Sequence, residues 1–170
     1  MELANKEIVI TGGTDGIGKV AAAALAKAGA NVTIVGRDGA KGEAVVGELK
    51  AHAGHGRVGF VRGDLSAQQG VRAAAAELKD RLKRIDVLLN NAGAFFQRRE
   101  LSVDGIERTF ALNHLGYFLM THLLMDRLNA SGAARIVNVA SGAHFGAKLD
   151  LADPQNAKTY SGWRAYQQSN

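Results

Sequence analysis

The stretch from Thr11 to Gly18, TGGTDGIG, sets four glycines around Thr14, Asp15 and Ile17 between a β-branched run and an alanine-rich run. Gly12, Gly16 and Gly18 let a backbone turn sharply and come close to a ligand. A helix that starts directly after such a turn offers free N–H groups and the positive end of its dipole to a phosphate. The chemistry on offer is capture of a dinucleotide pyrophosphate, and a purely structural turn is the alternative. The next β-branched run ends Val35-Gly36-Arg37-Asp38. An acid at such a place commonly binds the ribose hydroxyls of NAD, and an arginine accommodates the 2′-phosphate of NADP. Arg37 comes first and can pair bidentately with a phosphate. NADP is therefore expected over NAD, and Asp38 is read as the cap of the following helix. Further polar residues stand near the ends of short apolar runs: Asp64, Asn90, Asn91, Ser141 and, later, Tyr166. Taken singly, each also reads as a turn former, a cap or a surface residue. The histidines His52, His55, His114, His122 and His144 show no metal-ligand spacing, and there is no cysteine, so no metal site and no thiol nucleophile is expected.

The glycine spacing is TGxxxGxG, and with it the sequence resembles the short-chain dehydrogenase/reductase family. The other marks of that family follow in order. Asp64-Leu65 stands where the family has an acid that contacts the adenine. Asn90-Asn91-Ala92-Gly93 matches its NNAG, with Asn91, Ala92 and Gly93 lining the cofactor. Asn113 matches a catalytic asparagine, Ser141 in IVNVASG the catalytic serine, and Tyr166 in YQQSN the catalytic tyrosine of YxxxK. The wording NNAGAFF, LNHLGYF and YSGWRAYQQS is most similar to the retinol-dehydrogenase-like branch.

The resemblance implies an oxidoreductase that moves hydride between NADP(H) and an apolar alcohol or carbonyl substrate. In the family the tyrosine exchanges a proton with the substrate oxygen, the serine hydrogen-bonds that oxygen, and the asparagine supports a water-linked proton path. A free phenol titrates near pH ~10, so work at neutral pH asks for roughly 4 kcal/mol of help. The family's lysine, four residues on and on the same helix face, supplies it. Position 170 here is Asn170. The family's usual chain is also considerably longer, so residues 1–170 are expected to form one incomplete dinucleotide-binding domain. Two readings stay open, an active reductase in incomplete form and a cofactor-binding form with little or no activity. A scaffold for interactions ranks behind both.

The elements that must position these residues are legible as period and run length. Strands are expected at Lys6–Thr11, Asn31–Val35, Arg57–Arg62, Ile85–Leu89 and Arg135–Ala140. Helices are expected at Gly16–Ala28, Lys41–Ala53, Ser66–Lys83 with Ser66 as N-cap, and Asp104–Leu128. Short continuous apolar strands alternating with helices predict an α/β fold, a doubly wound parallel sheet (Rossmann fold). The family resemblance gives strand order 3-2-1-4-5. Ligands are then expected at the carboxyl ends of the strands.

Composition excludes several classes. The formal charge of +5 is spread along the chain, which does not suggest a nucleic-acid binder. No apolar run is long enough to span a bilayer, and the start of the chain lacks a signal-peptide layout. A cytoplasmic protein away from membranes is the expectation. The long apolar helix and an edge-placed fifth strand lead us to expect a homo-oligomer.

Overall fold

The computed structural model describes residues 3–53 and 57–170; His55 and the side chain of His52 lie outside the described set. The strands are β1 (Glu7–Thr11), β2 (Asn31–Gly36), β3 (Val58–Arg62), β4 (Val87–Asn90) and β5 (Arg135–Asn138). They form one parallel sheet in the order β3-β2-β1-β4-β5, as expected. The helices α1 (Gly16–Lys27), α2 (Gly39–His52) and α3 (Gln68–Arg81) follow the first three strands.

Alternation along each strand sends successive side chains to opposite faces. On β1, Ile8 and Ile10 join Ala22 and Ala26 of α1 and Val45, Val46 and Leu49 of α2 in one core. Val9 points the other way, into a core with Val71, Ala74 and Leu78 of α3 and with Met120, Leu124 and Leu128. Burial on both faces is why the strands read as near-continuous apolar runs.

The segment after β4 departs from the expected long helix. Asp104–Ile106 form a turn, with Gly105 at φ 74° and the Ser102 N–H donating to the Ile106 carbonyl at 2.7 Å. Helix starts only at α4 (Arg108–Phe110), widens into a π-helical turn at Ala111–Leu115, and continues as α5 (Gly116–Leu123) and α6 (Met125–Asn129). Asp104 instead caps a different helix: its Oδ2 accepts the Gln68 N–H of α3 at 2.8 Å. Ser66, the expected cap of α3, is not one. Its N–H and hydroxyl both donate to Asp64 Oδ1, at 3.0 and 2.7 Å, and Ala67 takes the cap position. Asp38 does cap α2, accepting the Lys41 N–H at 3.0 Å.

β5 lies at the sheet edge and all four of its residues are exposed. Between it and α5 runs an open groove of about 620 Å³, lined by Tyr117, Phe118, Met125, Ile136 and Val139 among others. Beyond β5 come a 3₁₀ turn (Gly142–His144) and α7 (Gly162–Ser169). No described helix is long and apolar enough to cross a membrane.

The amino ends of the strands are tied by one carboxylate. Asp86 is 5% exposed. It accepts the Glu7 N–H at 2.8 Å, the Ser131 hydroxyl at 2.9 Å, and the cations of Lys6 and Arg84, each at 3.2 Å. Burial pushes its carboxyl up, but these donors outweigh burial and hold it at about 2. A carboxyl depressed in the folded state stabilises the fold above the unfolded value near 3.8, and that share is lost as pH falls through about 2. Asp86→Asn is therefore expected to cost about 2 kcal/mol at neutral pH. Urea unfolding should show the gap between variant and parent closing between pH ~4 and ~2. A gap that does not change with pH would contradict this.

Candidate cofactor and active site

The candidate cofactor residues meet at the carboxyl end of the sheet because each of the first four strands ends there in a loop that carries one or more of them. The loop Gly12–Asp15 joins β1 to α1, Arg37 follows β2, Asp64-Leu65 follows β3 and Asn91–Gly93 follow β4. The first and last of these are locked together by a residue to which the sequence reading gave no role. The buried Thr11 hydroxyl oxygen accepts the N–H groups of Asn91 and Ala92 at 2.9 and 3.1 Å. In return, Asn91 Nδ2 donates to the carbonyls of Thr11 and Gly12 at 3.1 and 3.2 Å.

That lock leaves no room for side chains at two glycines. Gly12 has φ 66°, and a Cβ there would sit 2.8 Å from Ala92 Cα. A Cβ on Gly18 would strike the Gly12 carbonyl oxygen and lie 2.5 Å from Asn91 Nδ2. In front of the helix the situation reverses, since a Cβ on Gly16 meets nothing within 4 Å. The backbone is drawn tight around an open cradle, and the first-turn N–H groups of Ile17 and Gly18 have no intrahelical carbonyl to donate to. This geometry fits a pyrophosphate. Asp15 caps α1 through the Gly16 N–H at 2.8 Å and also pairs with Lys41 Nζ at 2.5 Å, linking the loop to the first turn of α2. Thr14 packs on Gly36, where a Cβ would come within 2.8 Å of its methyl group.

Arg37 is exposed beside this loop, and its carbonyl accepts Arg62 Nε at 3.2 Å. Partial burial pushes the Asp64 carboxyl up, but the Ser66 hydrogen bonds and the charges of Arg108 and Arg37 outweigh it and hold the group below its ordinary range. Leu65 is a core residue, 6% exposed, so its side chain is spent on packing and only its main chain can face a cofactor. Asn90 supports the sheet: its Nδ2 donates to Asn138 Oδ1 and Thr121 Oγ1 at 2.9 and 3.1 Å.

The candidate proton-handling residues surround the loop after β4. Asn113 sits in the π-helical turn, 6% exposed. Its Oδ1 accepts the Ala94 N–H at 3.0 Å, and its Nδ2 donates to the Ala94 carbonyl and Ser169 Oγ at 3.1 and 3.0 Å. It thereby joins that loop to α7, which carries Tyr166. The Tyr166 ring stands edge-on to Phe95, 5.8 Å between centroids. Ser141 caps the 3₁₀ turn through the Ala143 N–H at 3.2 Å, and Gln167 Nε2 reaches the Ala143 carbonyl at 3.0 Å. So α7 is docked on the Ser141 segment, although no hydrogen bond joins Ser141 to Tyr166 among the described residues. Neither residue lines the groove along β5. Asn170 Nδ2 donates back to the Tyr166 carbonyl at 2.5 Å.

Tyr117 was also outside the sequence reading. Burial, aided by nearby Tyr166, pushes its phenol up to about 12, and its hydroxyl reaches the Val139 carbonyl at 3.4 Å. Among the described residues, no group of three or more His, Cys, Asp and Glu is placed to hold a metal ion.

Comparisons with known proteins bear on the family and the fold. A family model described as short chain dehydrogenase matches residues 6–151. Mouse retinol dehydrogenase 12 is 40% identical over 166 residues, covering 98% of this chain and 52% of that protein. The chain thus spans about half the length of the curated relatives it matches. Among solved structures, an uncharacterized protein from Mycobacterium Paratuberculosis aligns with TM-score 0.86 at 39% identity, over 99% of this chain and 58% of the other. The Pseudomonas aeruginosa RhlG/NADP active-site complex aligns with TM-score 0.78 at 28% identity, over 99% and 63%.

The cradle predicts the effect of filling it. Gly18→Val should weaken NADPH binding by at least about tenfold while most helix content is kept. Fluorescence titration beside circular dichroism checks this; unchanged affinity in a folded variant would show that the loop is not the phosphate site.

Proposed function

The chain belongs to the short chain dehydrogenase family, and on that premise we propose that it binds NADP(H) for hydride transfer to or from an apolar alcohol or carbonyl compound. The observation that carries the reading is the glycine cradle locked by Thr11 and Asn91, open in front of the α1 N-terminus and flanked by Arg37. The N-terminus of α1 would hold the pyrophosphate, Arg37 would pair with the 2′-phosphate, and Asp64 would face the adenine. The loop Asn91–Gly93 lines the other half of the cofactor. A bound nicotinamide supplies or accepts the hydride. Tyr166 exchanges the proton with the substrate oxygen, Ser141 hydrogen-bonds that oxygen, and Asn113 holds the loop and α7 in register. The substrate class rests on likeness to a protein named as a retinol dehydrogenase.

Asn170 supports a second reading, a cofactor-binding chain with little turnover. Where the family has its lysine, this chain has an uncharged amide, and that amide is bonded to the helix backbone. The two readings share the cofactor site and differ in rate. Self-association through the exposed apolar edge of β5 belongs to the same proposal. Light scattering that finds one monodisperse species of 17.9 kDa would contradict it.

Calorimetric titration with NADPH and NADH, followed by a turnover assay on apolar carbonyls, tests the whole. NADPH should bind more tightly, Arg37→Ala should erase the preference, and turnover by the 170-residue chain should be very low. Equal affinities in the unsubstituted chain would overturn the NADP assignment, and brisk turnover would overturn the second reading.

A further inference from the structure

A buried carboxylate outside the site residues named so far draws three segments of that site together. Glu107 is 1% exposed. It caps α4, the helix that runs into the Asn113 turn: Oε2 accepts the Phe110 N–H at 2.8 Å, and Oε1 accepts the Thr109 N–H and hydroxyl, both at 2.9 Å. Asp, Asn, Ser and Thr are the usual caps. A glutamate reaches further, and Oε1 also accepts the Tyr160 hydroxyl at 3.2 Å.

Tyr160 stands just before α7, and it shares its one hydroxyl proton between Glu107 and the Phe96 carbonyl, the latter at 3.0 Å. Phe96 lies in the loop that leaves Asn91–Gly93. The two segments touch directly as well, since a Cβ on Gly162 would strike the Phe96 carbonyl and lie 2.9 Å from Gln97 Cα. On the other side of the cap, the Glu107 N–H donates to Gln155 Oε1 at 2.9 Å, which draws in the approach to α7. Burial, with the charge of Glu107 adding, holds the Tyr160 phenol above its ordinary range, so it remains a donor at neutral pH.

We propose that Glu107 and Tyr160 form a positioning clasp that sets the loop after Asn91–Gly93, the Asn113 turn and the Tyr166 helix for the nicotinamide half of the cofactor. The inference rests on the cofactor reading above. Sheet order gives it its direction. Arg37 follows β2, on the far side of β1 from β4, whereas Asp64 lies near enough to α4 to feel the Arg108 charge. The segments that Tyr160 ties, the Phe96 loop and α7, follow β4 and β5 in the chain. Loosening its Tyr160 end, which ties the Phe96 loop to α7, should therefore be felt by the nicotinamide half and not by the adenosine half. A side chain that served only general stability would affect both alike.

Tyr160→Phe removes one hydroxyl and leaves the α4 cap intact. Glu107→Asp keeps a capping carboxylate but shortens its reach, and it serves if the first variant does not fold. Each is titrated with NADPH and with adenosine 2′,5′-bisphosphate, which carries the adenosine half alone. In the unsubstituted chain NADPH should bind more tightly than the fragment. In Tyr160→Phe the NADPH affinity should fall roughly three- to tenfold, as expected for one or two lost hydrogen bonds, with the fragment affinity unchanged. The inference is overturned if both affinities fall by the same factor or neither moves. It is also overturned if the unsubstituted chain binds the two ligands equally, since the nicotinamide half is then not held. Failure of the unsubstituted chain to bind either ligand would instead overturn the cofactor reading itself.

Discussion

The Thr11 hydroxyl and the Asn91 carboxamide join two loops that the chain separates by about 80 residues. Everything at the candidate site depends on that junction. Without it the glycine loop has no reason to fold back against Asn91–Gly93, and the backbone beside Gly12 need not lie so close to Ala92. With it, backbone groups are packed too closely for side chains while the helix end in front of them stays clear. The junction is affordable because β1 and β4 are neighbours in the sheet and stop at the same level.

The sheet sets which loops can meet. Burial on both faces fixes the register of β1 to β4 through alternating cores. β5 pairs with β4 yet keeps all its residues exposed, because one edge and the face beside α5 are uncovered in these 170 residues. The candidate proton-handling residues sit at this less covered end. They are held by polar ties, from Asn113 to Ala94 and Ser169 and from Gln167 to Ala143, where the glycine cradle is held by close backbone packing.

The five strands and the first helices were legible because apolar period and glycine turns are local signals. The cradle was legible for the same reason, through TGGTDGIG. The long helix was misread at its start because its cap is a glutamate whose remaining partner, Tyr160, lies 53 residues away. Asp104 has the right residue type for a cap, but its carboxylate caps α3, across the fold. Ser66 failed as a cap because Asp64, two residues earlier, takes both its donors. Thr11, Glu107 and Tyr160 act through partners distant in sequence, and no spacing rule announces such a pair. The family resemblance alone points to Asn113, Ser141 and Tyr166, which composition and periodicity leave as ordinary polar residues.

We propose that a dinucleotide lies across the carboxyl end of this sheet, over the junction of Thr11 with Asn91. Amide chemical shifts of the isotopically labelled chain, followed as NADPH is added, test it most directly. The largest changes are expected at Gly12–Gly18, Arg37, Asp64-Leu65 and Asn91–Gly93, with the amino ends of the strands around Asp86 unmoved. Changes confined to the groove between α5 and β5, or none at the glycine loop at saturating NADPH, would contradict it.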